Sequence, residues 1–85
     1  MKYEVLIERS AAKDLAKISS PHRERLTKAI RALSSNPRPP GVKKLSGRDA
    51  WRIRVGAYRV IYEINDQQLR ILVVVVGSRQ DVYER

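Results

Sequence analysis

The sequence predicts an α+β domain in which a mainly antiparallel sheet carries an N-terminal helical hairpin on one face, in the order β-α-α-β-β-β. Three observations predict it. The stretch from Trp51 to Tyr62 combines a period-two apolar pattern with a central Gly-Ala pair, as in two strands folded back on each other. Leu69 to Val76 is a nearly unbroken run rich in β-branched residues, the composition of a central strand covered by other elements. Between Ser10 and Leu33 apolar residues recur at helical spacing in two segments, and those stripes have only the sheet to bury against.

Taken in order, Tyr3 to Ile7 alternates Tyr3, Val5 and Ile7 against Glu4 and Leu6, a first strand whose second face Leu6 marks as partly covered. Ser10 precedes a segment with Ala11, Leu15 and Ile18 on one face and is placed to cap the free amides of that helix. Ser20-Pro21 then predicts a fresh start, with serine as the cap and proline at the first helical position, where its missing N–H costs nothing. Leu26, Ala29, Ile30 and Leu33 form the second stripe, and Asn36-Pro37 stops it. The proline-rich connector Pro37–Gly41 continues neither helix nor ladder, and Lys43–Arg48 reads as a basic, glycine-containing loop leading into the hairpin. A polar turn at Asn65–Gln68 precedes the valine-rich strand, which Gly77-Ser78-Arg79 ends.

Eighty-five residues make one domain, 1–85, able to fold without staples. The chain has no cysteine and one histidine, so neither a disulfide framework nor a thiolate or His-rich metal site is available. No apolar run reaches the length of a membrane span and the first residues lack the layout of a signal peptide, which together point to a soluble, cytoplasmic protein.

Lysine and arginine number 18 against 9 acidic residues, a formal charge of +9 that favours polyanionic partners. Between Lys43 and Tyr62 six cations face one acid, Asp49, whereas the helical region mixes signs. Alternation puts Trp51, Ile53 and Val55 on one face of the first hairpin strand and Arg52 and Arg54 on the other. In the second strand Arg59 and Ile61 lie opposite Tyr58, Val60 and Tyr62. Three guanidinium groups on a pleated surface offer a fixed positive platform for phosphates. By themselves such arginines are as readily a solvated face, Trp51 reads as core or rim packing, and His22 as a surface residue.

Several segments in one order carry a family resemblance that covers essentially the whole chain. They are Lys13-Asp14-Leu15, Asn36-Pro37, Lys44-Leu45-Ser46-Gly47, Trp51–Gly56, Tyr58–Tyr62, and Val76-Gly77-Ser78-Arg79 leading to Asp81-Val82-Tyr83. The pattern resembles the RelE toxins of the RelE/ParE superfamily. The resemblance implies the compact RelE-like fold and a type II toxin that enters the ribosomal A site and cuts messenger RNA there. It also implies a RelB-like antitoxin as partner, contact with operator DNA only through that antitoxin, and no metal or other cofactor.

Cleavage of that kind uses the RNA's own 2′-hydroxyl as nucleophile, so the site must accept a proton, stabilise a phosphorane-like transition state and protonate the leaving 5′-oxygen. Carried over by position, the resemblance assigns the basic pair to Arg52 and Arg54, the transition-state arginine to Arg59, a second arginine to Arg79 and the C-terminal tyrosine to Tyr83. Lys43, Lys44 and Arg48 are expected to touch RNA backbone without reading sequence. Better-known members carry lysines where this chain has Arg52 and Arg54, and many carry histidine where it has Ser78. Arginine is not deprotonated in proteins, so Arg52 and Arg54 are assigned phosphate contact and charge stabilisation, not general base. The proton acceptor stays open between Tyr83, with its pKa depressed by neighbouring cations, Lys44, and Asp81, which is close in sequence but has no catalytic role in the family pattern; Tyr83 is equally suited to stacking or to docking the tail. Two other functions also stay open: the gyrase inhibition of the ParE branch, and non-catalytic RNA binding.

Overall fold

A computed structural model of the chain describes residues 2–78. The element order is β1 (Glu4–Ile7), α1 (Arg9–Lys17), α2 (His22–Ala32), β2 (Lys43–Lys44), β3 (Trp51–Val55), β4 (Tyr58–Asn65) and β5 (Arg70–Ser78). Among the described residues the strands form a five-stranded sheet in the order β1-β5-β4-β3-β2. β1 runs parallel to β5 and the other neighbours are antiparallel, so the α+β class and the mainly antiparallel sheet are as expected.

Both helices lie on one face, and each apolar stripe goes where its spacing sends it. Ala11, Leu26, Ile30 and Leu33 are buried against Ile53, Val60, Tyr62, Ile71, Val73 and Val76 of the sheet. β5 is central, between β1 and β4, and its β-branched side chains fill both faces. The opposite face carries a smaller apolar cluster, Ala50 and Ile61 with Leu45, Val74 and Val75, because the segment after β2 folds back over the sheet and Leu45 N–H donates to Ala50 O at 2.9 Å.

Four expectations need correction. The stretch beginning at Lys43 is not wholly loop: Lys43 and Lys44 form a short edge strand paired to Arg52 and Trp51. Ser10 does not cap α1, which starts one residue earlier with Glu8 at its cap; Glu8 N–H donates to Val73 O at 2.9 Å, so the ladder beside β5 fixes where the helix begins. Ser20 does not cap α2 either. Pro21 occupies the capping position, and the Ser20 hydroxyl donates to Glu24 Oε1 at 3.0 Å. Leu6 is 44% exposed, because the cover over the helix-free face stops short of β1.

A polar clasp fixes the connector between α2 and β2. The buried Tyr62 donates its hydroxyl to Pro37 O at 2.7 Å, and burial pushes its pKa up to about 12. Asp66, in the β4–β5 turn, accepts from the Tyr3 hydroxyl at 2.6 Å and from both terminal nitrogens of Arg38, at 3.0 and 3.4 Å. The Arg38 guanidinium and the Tyr3 hydroxyl hold the Asp66 carboxyl below its usual range, while the bond to Asp66 raises Tyr3. Arg38 also lies over the Trp51 ring, 4.9 Å from its centroid. Three segments distant in sequence are thereby tied where β2 meets β3.

Candidate nucleic-acid interface

The hairpin of β3 and β4 builds the core of the site. Gly56-Ala57 is the two-residue turn, with Gly56 at φ +61°, a conformation that favours glycine. The turn fixes the register Val55↔Tyr58, Arg54↔Arg59, Ile53↔Val60 and Arg52↔Ile61. Directly opposed residues share a face, so Ile53 and Val60 point to the helices while Arg52, Arg54, Arg59 and Ile61 point away. Three guanidinium groups thus converge on the helix-free face.

The three are not alike. Arg54 is exposed, Arg52 is half-buried, and Arg59 is only 4% exposed. Arg59 pairs with Gly77 of β5, so the residue directly beside it across the ladder carries no side chain. That pairing depends on an irregularity: the register shifts between Ile61 and Tyr62, so Val74 and Val75 together oppose Ile61. The shift returns Val76 to the helix face and puts Gly77 on the arginine face.

Like charges directly opposed in a sheet repel, and Arg54 opposite Arg59 is such a pair. Bringing an anion between them relieves the repulsion, so the arrangement is suited to a phosphate. The planar forks of arginine fit phosphate oxygens in pairs, giving orientation as well as charge.

The other expected contacts divide. Lys43, paired with Arg52, joins the arginine face; at the open edge of β3, Lys43, Arg52 and Arg54 also border a groove of about 620 Å³ whose other wall is Ala29, Ala32 and Leu33 of α2. Lys44, paired with Trp51, turns to the other side; its ammonium lies 5.7 Å from the Trp51 ring centroid and 3.7 Å from Asp49 Oδ1. Arg48 borders a separate hollow of about 500 Å³ with Leu6, Glu63 and Arg70. Trp51 packs against the main core, as its rim reading has it, and His22 is exposed with its ring 5.5 Å from that of Tyr58. Arg79, Asp81 and Tyr83 lie outside the described residues. Among the described residues no cluster of three or more potential metal ligands occurs.

Two contributors escaped the sequence reading. Arg38 stacks on Trp51 and steers the connector, and nothing in its proline-rich surroundings signals that role. Gly77 reads as a strand terminator until the β4–β5 register is known.

A small α+β domain with a cationic sheet face is the class that fold and site define, and comparison with known proteins gives its family. The family model described as the ParE toxin of the type II toxin–antitoxin system parDE matches residues 5–83. A RelE-like toxin protein of Escherichia coli is 32% identical over 87 residues, covering 98% of this chain and 92% of that protein. The mRNA interferase toxin RelE of E. coli K12 is 28% identical over 82 residues, covering 94% of this chain and 86% of that one. The RelE–RelB complex of the archaeon Pyrococcus horikoshii contains a chain that superposes with a TM-score of 0.83 at 32% identity, over 93% of this chain and 97% of that one. The chain belongs to the ParE toxin family of type II toxin–antitoxin systems, and within that superfamily it is a RelE-type toxin.

Proposed function

We propose that this toxin is an endoribonuclease that cuts messenger RNA in the ribosomal A site. The observation that carries the proposal is the convergence of Arg52, Arg54 and Arg59 on one sheet face, with Arg54 directly opposite Arg59 and Gly77 beside it. The name of the K12 relative, an mRNA interferase, supports the same reading.

In the reaction the 2′-oxygen attacks the adjacent phosphorus as its proton leaves, a pentacoordinate phosphorane forms, and the bond to the 5′-oxygen breaks as that oxygen gains a proton. The products are a 2′,3′-cyclic phosphate and a free 5′-hydroxyl. Arg59, anchored in the sheet and largely shielded from water, is assigned to the charge that develops on the non-bridging oxygens, where a preorganised donor is worth most. Arg52 and Arg54 hold the flanking phosphates, and Lys43 extends the track along the groove. Arg79 and Tyr83 are assigned to the same site by the family pattern, Tyr83 to proton transfer or base stacking. With arginine at 52 and 54 the sheet supplies charge and position but no base on those two side chains.

The relative from P. horikoshii is a RelE in complex with RelB, and the E. coli RelE is likewise seen in a RelBE complex. By the same similarity this toxin is silenced by a cognate RelB-like antitoxin, and an acidic one would match its charge of +9.

The test is induction of the protein in cells followed by mapping of messenger RNA 5′ ends. Growth arrest with new breaks inside codons in the reading frame, lost in Arg59→Ala, is the expected result. Removal of one preorganised donor lowers such rates by about 10²–10³-fold. Intact messages with altered DNA supercoiling would move the chain to gyrase inhibition, the activity of the ParE branch.

A further inference from the structure

The groove at the open edge of β3 is made by a short strand and two small side chains. β2 pairs only with Trp51 and Arg52, so among the described residues the edge from Ile53 to Val55 has no neighbouring strand. On the α2 side Ala29 and Ala32, one turn apart, stop at Cβ where larger side chains would close the gap. The third wall is the connector at Pro39–Gly41, where Val42 N–H donates to Pro39 O at 3.1 Å and Gly41 takes φ +87°, the arrangement of a type II turn. Tyr62 already holds this connector through Pro37 O, so the walls stand in place before any ligand arrives.

Its chemistry selects a class of occupant. The volume of about 620 Å³ falls in the range of small-molecule sites, roughly 300–1,000 Å³. Leu33, Ile53 and Val55 make the walls aliphatic, and among the described residues no aromatic ring lines them, so a nucleobase would have nothing to stack on. Two turns of an α-helix occupy roughly 850 Å³, more than the groove holds, so a helix could lie only across its mouth. Lys43, Arg52 and Arg54 border the groove and no carboxylate lines it, which calls for an anion. The guanidinium fork accepts a carboxylate through two parallel bonds. An aliphatic slot bordered by such forks fits one straight alkyl chain with an anionic head.

We propose that this groove binds a medium-chain fatty carboxylate, with the chain between α2 and β3 and the head on Arg52 and Arg54. Both arginines also belong to the sheet face assigned to the message, so the bound carboxylate competes with RNA phosphate for them. The competition rests on that reading of the arginines, whereas the binding itself does not.

The test uses the full chain with hexanoate, octanoate and decanoate, each below its micelle threshold. Calorimetry gives the affinity and methyl NMR the place of binding. The expected result is a single site whose ligand moves the methyl signals of Leu33, Ile53 and Val55, with affinity rising about tenfold for each two carbons added as methylenes leave water. Octan-1-ol, which has the chain without the charge, should bind about tenfold or more weaker than octanoate. Ala32→Leu fills the groove at constant net charge and should lower decanoate affinity by about tenfold or more. The same variant should keep the wild-type thermal midpoint and its affinity for a short single-stranded RNA. Decanoate should displace that RNA from the wild type and, at the same concentration, not from Ala32→Leu. Affinity that ignores chain length, or equal affinity in wild type and Ala32→Leu, would overturn the inference. A wild-type chain that binds decanoate but no RNA would overturn the message reading alone and leave the groove with its ligand. Undiminished decanoate binding by Ala32→Leu together with escape from a cognate antitoxin would give the groove to a protein partner and overturn the carboxylate.

Discussion

Arg54 shows how a single side chain carries both cost and function. It is exposed, sits directly opposite the nearly buried Arg59, and shares a strand face with Arg52 two residues away. Opposed like charges destabilise a strand pair, and an opposed pair of side chains shifts stability by about 0.2–1 kcal/mol. Arg54→Thr removes the repulsion and puts a β-branched residue on an edge-proximal strand, so chemical denaturation should give a higher midpoint at low salt, with the gain shrinking as salt is added. Message cleavage should fall in the same variant, because the phosphate that would bridge the two arginines loses one of its partners. A lower midpoint at every salt concentration would show that the pair is not repulsive in the fold. At this scale much was legible: alternation put Arg52 and Arg54 on one face, and the two-residue turn at Gly56-Ala57 brings Arg59 onto it. The neighbour Gly77 was not legible, since its place beside Arg59 depends on the extra residue at Val74-Val75. In a run of four valines a change of phase leaves no mark on the sequence, because every position remains apolar and β-branched.

Among the elements, the segment from Asn36 to Lys44 is the least predictable, and it is held by polar contacts that no periodicity signals. Asp66 receives Tyr3 from the approach to β1 and Arg38 from the connector, while Tyr62 bonds Pro37. Such long-range side-chain contacts are invisible to local pattern, so the connector reads as loop and the two-residue strand after it is missed. Ser10 and Ser20 fail as caps for a related reason, since a backbone bond from Glu8 to β5 and the placement of Pro21 decide the helix starts. The clasp carries a definite pH dependence. Asp66 has its pKa lowered in the folded state, so the stability it contributes is present above the ordinary carboxylate value and is lost as pH falls through the depressed one. Asp66→Asn should therefore melt at a lower temperature than wild type near neutrality, and the two curves should converge in acid. A constant gap from neutral pH down to pH 2 would assign the contribution to hydrogen bonding that the amide also lacks, and not to the charge.

For the molecule as a whole, the decisive quantity is charge distributed over two opposite surfaces. The sheet order, with β1 parallel to β5 beside the hairpin, could not be read from periodicity, because alternation defines faces and says nothing of partners. Only with that order known does it emerge that Arg52, Arg54 and Arg59 lie behind the sheet from the helical cations. The net charge of +9 then acts on itself. At about 0.01 M salt the screening length is about 30 Å, comparable with the longest dimension of 33 Å, so every cation feels nearly every other; at about 0.15 M it is about 8 Å and repulsion becomes local. Self-repulsion of this kind destabilises the compact state. The free toxin should therefore melt at a higher temperature as sodium chloride is raised over that range, whereas its affinity for ribosomes should fall over the same range as counterion release loses its drive. Opposite signs for the two responses are the signature of a fold whose excess charge is kept for a polyanion. A melting temperature that does not move with salt, measured alongside a binding constant that does, would mean that local ion pairs already balance the fold and that the excess charge costs it nothing.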